Sequence, residues 1–264
     1  MLKKVKIYSN KSAKSLEIVD LLMKKLVEKN FDIVEENEEL AIAVGGDGTF
    51  LKMLKKSNFD SNICYVGINT GTLGFLQEIK PDEIDEFINK IINEEYKIDK
   101  INVQTTIIKT LVDEIKYYSL NEILVRDKDL NIVSFNVKIN GDLLEKYVGD
   151  GIMISTSTGS TAHNLSLGGS IVYNSLKTMQ ITPIAPLNSN AYNGLRCSVI
   201  LPEDTKIELS MTKGKNNLIV GIDGENTIID NVESITTYIN EKTINYLRIG
   251  EYNFTKIIND KLLK

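Results

Sequence analysis

Two hydrophobic rhythms run along the chain. In the first hundred residues short apolar runs alternate with segments of helical spacing: Val5, Ile7 and Tyr8 form a strand, and Ile18, Leu21, Leu22 and Leu26 follow at intervals of three and four. Phe31 to Glu35 and Leu40 to Val44 read as further strands, and a helix from about Thr49 places Leu51 and Leu54 on one face. Ile63 to Ile68 is another strand, and Pro81 to Ile92 an amphipathic helix. Strands alternating with helices predict a parallel, doubly wound sheet.

From about Asp99 the period becomes two. Ile101, Val103 and Thr105 alternate with polar neighbours, as do Phe135, Val137 and Ile139, which run into Asn140-Gly141. That dipeptide is a strong signal for a type I′ hairpin. Lys206 to Met211, Leu218 to Ile222 and Ile244 to Ile249 are also strand-like, whereas the final FTKIINDKLLK puts Phe254, Ile257, Ile258 and Leu262 on one helical face. The expectation is α/β plus all-β. An N-terminal doubly wound domain spans 1–98 and an antiparallel, β-sandwich-like domain spans 99–249. A terminal segment, 250–264, returns as a helix to cover the first sheet.

Composition narrows the function. The 264 residues hold 31 basic and 36 acidic side chains, net −5, with the basic ones scattered. Nucleic acid and anionic membranes are therefore poor principal partners. Two distant cysteines and one histidine argue against a disulfide framework and a thiolate zinc site. The amino terminus reads as a strand rather than a signal peptide, and no apolar stretch has the length to span a bilayer. A soluble protein of the cytoplasm is expected.

The chemistry starts at AIAVGGDGTFLKML, positions 41 to 54. A strand, a glycine turn and a helix start form a phosphate cradle, yet Asp47 stands at its centre. The dinucleotide fingerprint fails at Leu51, and the P-loop G-K-[ST] occurs nowhere. A carboxylate suits a hydroxyl target instead: it can orient the hydroxyl and take its proton, while bare glycines admit the substrate to the backbone. Asp47 also reads as a cap of the following helix.

Further stretches give the chain a family resemblance. GGDGTF, GINTGTLGFL at 67–76, LNE at 120–122, GDG at 149–151 and STSTGSTAHNLSLGG at 155–169, in this order, resemble the NAD kinase family over roughly residues 40 to 225. The resemblance implies transfer of the terminal phosphoryl group of ATP to the 2′-hydroxyl of the adenosine ribose of NAD, with Asp47 catalytic and Gly48 at the substrate. It also implies a ribose-binding role for Asn121 and Glu122, which otherwise read as an exposed strand end.

In the Ser/Thr-rich stretch, Gly159, Ser160 and Thr161 are expected to open a helix toward the nucleotide. Thr158, Thr161, Ala162, Asn164, Leu165, Ser166 and Ala185 match substrate-binding positions, and His163 stands where the family has tyrosine, able to stack on adenine. Asp150 corresponds to an acid at the nicotinamide end of the substrate, in some members supplied by a neighbouring subunit. The family often has arginine where this chain has Val148, and Lys146 lies near enough to replace it. Asp223 and Glu225 match further acid and glutamine positions, although hairpin chemistry explains GIDGE equally well.

Magnesium or manganese is expected to bridge the phosphates. Asp47, Glu122 and Asp223 are candidate ligands that spacing does not separate. A homodimer or homotetramer is expected from the resemblance alone. The rival readings are a kinase of a lipid or sugar phosphate that shares only the GGDG turn, and a non-catalytic NAD-binding sensor.

Overall fold

The computed structural model describes residues 2–71, 74–188, 194–212 and 217–263. Positions 72 and 73 of the GINTGTLGFL stretch lie outside them. The chain divides into two compact units, one of residues Met1–Ile101 and Thr243–Lys264, the other Asn102–Lys242.

The first unit opens with β1 (Lys4–Ser9), α1 (Ala13–Glu28), β2 (Asp32–Ile33), β3 (Leu40–Gly45), α2 (Asp47–Lys56), β4 (Cys64–Asn69) and α3 (Ile84–Ile92). The strands are parallel in the order β2-β1-β3-β4. β3 and β4 are buried along their whole length, as expected of strands covered on both faces. Their apolar side chains join Leu22 and Leu26 of α1 and Phe87, Ile88 and Ile91 of α3 in one core.

Two expectations shift here. β2 is only two residues long because its ladder to β1 is limited to Lys4↔Asp32 and Val5↔Ile33. α2 starts at Asp47, two residues early, because Gly46 in extended conformation already serves as its N-cap; the buried face is Thr49, Phe50, Met53 and Leu54, with Leu51 half-buried.

The second unit is built from β5 (Lys97–Thr110), β6 (Glu114–Ser119), β7 (Glu122–Asp127), β8 (Val133–Ile139), β9 (Asp142–Gly149) and β10 (Gly151–Thr156). The one-turn helix α4 (His163–Ser166) follows, then β11 (Thr178–Ile184), β12 (Val199–Pro202), β13 (Ile207–Met211), β14 (Leu218–Ile222), β15 (Glu225–Ile229) and β16 (Val232–Arg248). One sheet has the order β12-β11-β10-β7-β14-β15; in the other, β9, β8, β13 and β16 run side by side, and β5 joins β16 to β6. Ile123, Val125, Ile152, Ile154 and Val220 from the first pack with Phe135, Val137, Leu209 and Ile235 from the second. Asn140 and Gly141 turn the β8–β9 hairpin with φ of 53° and 94°, as a type I′ turn requires.

β16 is 17 residues long. Its Ser234 to Thr237 pair antiparallel with β13, whereas Asn245 and Tyr246 pair parallel with Cys64 and Tyr65 of β4. The chain thereby re-enters the first unit, where α5 (Phe254–Ile258) follows, capped by the Asn253 side chain and continued as a π-helix over Asn259–Leu263. Phe254 is its buried residue. Among the described residues no helix is long and apolar enough to cross a membrane.

Candidate active site

In the first unit, the carboxyl ends of three parallel strands form one edge. The register Ser9↔Val44 and Gly45↔Asn69 sets Asn10, Gly46-Asp47 and Thr70-Gly71 side by side there, where open α/β sheets bind ligands. A cavity of about 900 Å³ beside Gly46 and Gly48 is lined by Asn10, Lys11, Lys52 and Lys56.

Gly46, not Asp47, is the N-cap residue of α2, and Asp47 is the first residue of its first turn. Its half-buried carboxylate turns to the segment after β4. Oδ2 accepts the Phe75 N–H at 2.9 Å and Oδ1 accepts the Leu76 N–H at 3.0 Å. The carboxylate is thus bonded to the 75–76 segment, with Gly46 taking the N-cap position. Each oxygen holds one amide and keeps acceptor capacity for a substrate hydroxyl.

The second unit gathers a different set. Glu122 opens β7 opposite Ser155 near the end of β10. Thr156 bonds back to the same strand, its N–H to the Asn121 carbonyl at 2.8 Å and its hydroxyl to the Leu120 carbonyl at 2.6 Å. Gly159 lies so close that a Cβ would overlap the Asn121 backbone, so only glycine lets the 158–161 turn pack against the Asn-Glu pair.

Asn121 and Glu122 are buried, and Asn121 Oδ1 and Glu122 Oε2 have no hydrogen-bond partner. Buried acceptors of that kind are rare in native proteins and ask for a donor. The Glu122 pKa is pushed up to about 8, first by burial and second by the neighbouring Asp223 carboxylate.

Asp223 has a role that its hairpin position did not disclose. Its carboxylate accepts the N–H groups of Leu120 at 2.8 Å, Asn121 at 2.7 Å and Glu122 at 3.2 Å, from a backbone held at φ 47°. It organises the pair from behind. Glu225, two residues on, is exposed at the start of β15.

The expected helix from Gly159 is instead a 3-10 turn, Thr158–Thr161, followed by α4. Tertiary bonds cut it short: Ser160 is buried, donating to the Val172 carbonyl and accepting the Val172 N–H. Thr158 is buried, Thr161, Ala162 and Leu165 are half-buried, and His163 and Ser166 are exposed. The Asn164 side chain turns inward, bonding Gln180 and Thr182.

Asp150 and Ala185 form a separate group. Asp150 N–H meets the Ile184 carbonyl at 3.0 Å in the β9–β10 turn, with Val148 buried and Lys146 exposed on β9, and Ala185 sits at φ 44°. Tyr147 braces the turn by donating to the carbonyls of Gly151 and Ile184. β10 separates this group from Asn121 and Glu122. Its five residue steps amount to about 17 Å.

A glycine-set acid at the edge of a parallel sheet, and a buried amide–carboxyl pair with two unpartnered oxygens, define a class: a phosphotransferase whose acceptor is an alcohol. Comparison with known proteins gives the family. Residues 5–96 match the ATP-NAD kinase N-terminal domain and residues 120–242 the ATP-NAD kinase C-terminal domain.

The NAD kinase of Finegoldia magna is 39% identical over 267 aligned residues, 98% of this chain and 97% of that protein. The Streptococcus gordonii NAD kinase is 31% identical, covering 93% and 89%. In fold the chain is similar to yeast NADH kinase complexed with NADH (TM-score 0.84, 20% identity, 99% of this chain and 87% of that one). It is also similar to an Archaeoglobus fulgidus NAD kinase in complex with ATP (TM-score 0.75, 21% identity, 97% and 98%). The chain belongs to the NAD kinase family, and its reaction is the ATP-dependent phosphorylation of NAD.

Proposed function

We propose that Asp47 orients the 2′-hydroxyl of the adenosine ribose of NAD and takes its proton as that oxygen attacks the terminal phosphorus of ATP. A bond forms from the ribose oxygen to phosphorus, the bond from phosphorus to the bridging oxygen breaks, and NADP and ADP result. Asn121 and Glu122 hold the ribose. The observation that carries this reading is the pair of buried, unpartnered oxygens Asn121 Oδ1 and Glu122 Oε2, acceptors that suit the ribose 3′-hydroxyl while the proton of the 2′-hydroxyl goes to Asp47. Positioning and electrostatics do most of the work in phosphoryl transfer.

Thr158, Thr161, Ala162, Leu165 and Ser166 line the adenine side, and exposed His163 stacks on the base. Lys11, Lys52 and Lys56 supply positive charge for the triphosphate beside the glycine turn. Among the described residues no three His, Cys, Asp or Glu side chains gather around a common point. Asp47, at the phosphate edge of the sheet, would be a carboxylate able to help hold a magnesium or manganese ion. Such an ion would offset phosphate charge.

Asp150, Lys146 and Ala185, a strand's length from the ribose pair, serve a second copy of the chain in a homodimer or homotetramer, and the enzyme works in the cytoplasm. The test is an end-point assay with ATP, magnesium and NAD, reading NADP with an NADP-specific dehydrogenase. NADP that forms with the native enzyme and is lost in Asp47→Asn supports the reading. Undiminished turnover in Asp47→Asn removes Asp47 from the chemistry, and phosphorylation of a lipid or sugar phosphate in place of NAD would replace the reading altogether.

A further inference from the structure

The segment after β4 does more than touch Asp47. Phe75 and Leu76 present successive N–H groups to its two oxygens. The next residue, Gln77, is buried and sends Nε2 to the Gly46 carbonyl at 3.0 Å. That carbonyl also accepts the Thr49 N–H at 2.8 Å, so it starts α2 and fixes where Asp47 leaves the helix. From the other side the buried Tyr246 hydroxyl donates to the Leu76 carbonyl at 3.1 Å, holding from its carbonyl end the residue whose N–H contacts the carboxylate.

The fit is close. A Cβ on Gly74 would overlap the Asp47 carboxylate, and one on Gly67 would overlap the Gln77 amide. The donor bond to Gly46 fixes the orientation of the Gln77 amide, and its Oε1 is left buried with no partner. A buried acceptor left unmatched is unfavourable, so a methionine of similar shape would serve packing as well or better. What methionine lacks is the donor.

We propose that Gln77 and Tyr246 are positioning residues for phosphoryl transfer: together they clasp the glycine turn and the Leu76 backbone so that the Asp47 carboxylate faces the acceptor hydroxyl at a fixed angle. The clasp touches neither nucleotide. It acts on the step, not on binding, and it rests on the reading of Asp47 given above.

The test compares Gln77→Met, Tyr246→Phe and Asp47→Asn for kcat, for NAD affinity by calorimetry and for melting temperature. Gln77→Met is expected to lower kcat by about 10- to 100-fold, the cost of a small misplacement in a positioned reaction. NAD affinity should stay within about twofold, and melting at or above the native value. Tyr246→Phe should move kcat in the same direction with NAD affinity kept.

Turnover of Gln77→Met within about twofold of native overturns the proposal, and so does a loss matched by equal losses of NAD affinity and melting temperature, which marks a structural role. Asp47→Asn separates the two layers. If it abolishes turnover while the other variants behave as native, the clasp fails and the role of Asp47 stands; if it keeps turnover, the role of Asp47 itself fails.

Discussion

Asp47 and Glu122 are both acids at the end of a β-strand, and the fold treats them in opposite ways. Asp47 is half-buried at the N-terminus of a ten-residue helix and receives a backbone N–H on each oxygen. Glu122 is buried, one of its oxygens has no partner, and the amides of its own segment point at Asp223 instead. Burial and that second carboxylate push it up to about 8. An acid supplied with dipoles is prepared to carry charge through a reaction, whereas an acid deprived of them is prepared to be completed by a ligand. On the roles proposed above, one fold separates chemistry from recognition by assigning its amides.

The largest expected break in this comparison is Asp47→Asn, which keeps shape and loses the base. Turnover should fall by about 10²- to 10⁴-fold while NAD affinity survives, read by the NADP assay and calorimetry. Next is Asp223→Ala, which frees three amides and removes the charge beside Glu122. NAD affinity should weaken about tenfold and the melting temperature should drop, consistent with loss of hydrogen bonds to a charged group. Equal NAD affinity would show that the pair organises itself.

His163→Ala sharpens the recognition side: stacking worth roughly 1 to 3 kcal/mol predicts NAD binding weaker by at least about fivefold, with His163→Tyr holding native affinity.

The last test concerns stability against pH rather than turnover or affinity. In the unfolded chain Glu122 titrates near its ordinary 4.5, but in the folded protein near 8. Its neutral form therefore supports the fold fully below about 4.5, and that support is lost as pH rises through 8. Melting curves should show Glu122→Gln flattening the decline between pH 5 and 8 and gaining at pH 8, about 2 to 4 °C per kcal/mol recovered. A native-like slope in the variant would place the titration elsewhere.

How much of this could be read from the residues depends on how local the cause is. The Asn140-Gly141 hairpin, the apolar runs of β3 and β4 and the carboxylate among glycines are written in neighbouring positions, and each was legible. The one-turn α4 was not, because a buried bond from Ser160 to Val172, twelve residues on, interrupts a stretch that otherwise reads as helix. The inward turn of Asn164 depends on Gln180 and Thr182 of β11.

Asp223 was read as a turn acid, a match to a family acid position and a candidate metal ligand, but not as the organiser of the Asn-Glu pair, since its three amide partners lie about a hundred residues earlier. Gln77 carried a faint signal, a lone amide following two glycines, Gly67 and Gly74, that leave room for side chains. Tyr246 carried none, because its partner is a carbonyl 170 residues away.

The path of β16 sets an order of manufacture. Residues 1–101 leave the ribosome first, yet their sheet lacks its neighbour to β4, and the Leu76 carbonyl lacks its tyrosine, until residues 243 to 248 have been translated. At about 5 to 20 residues per second, the intervening 141 residues take on the order of ten seconds. Of the two units, the one begun first is completed second, and a nascent chain that already holds every glycine and acid of the glycine turn still waits for one late tyrosine to close around it.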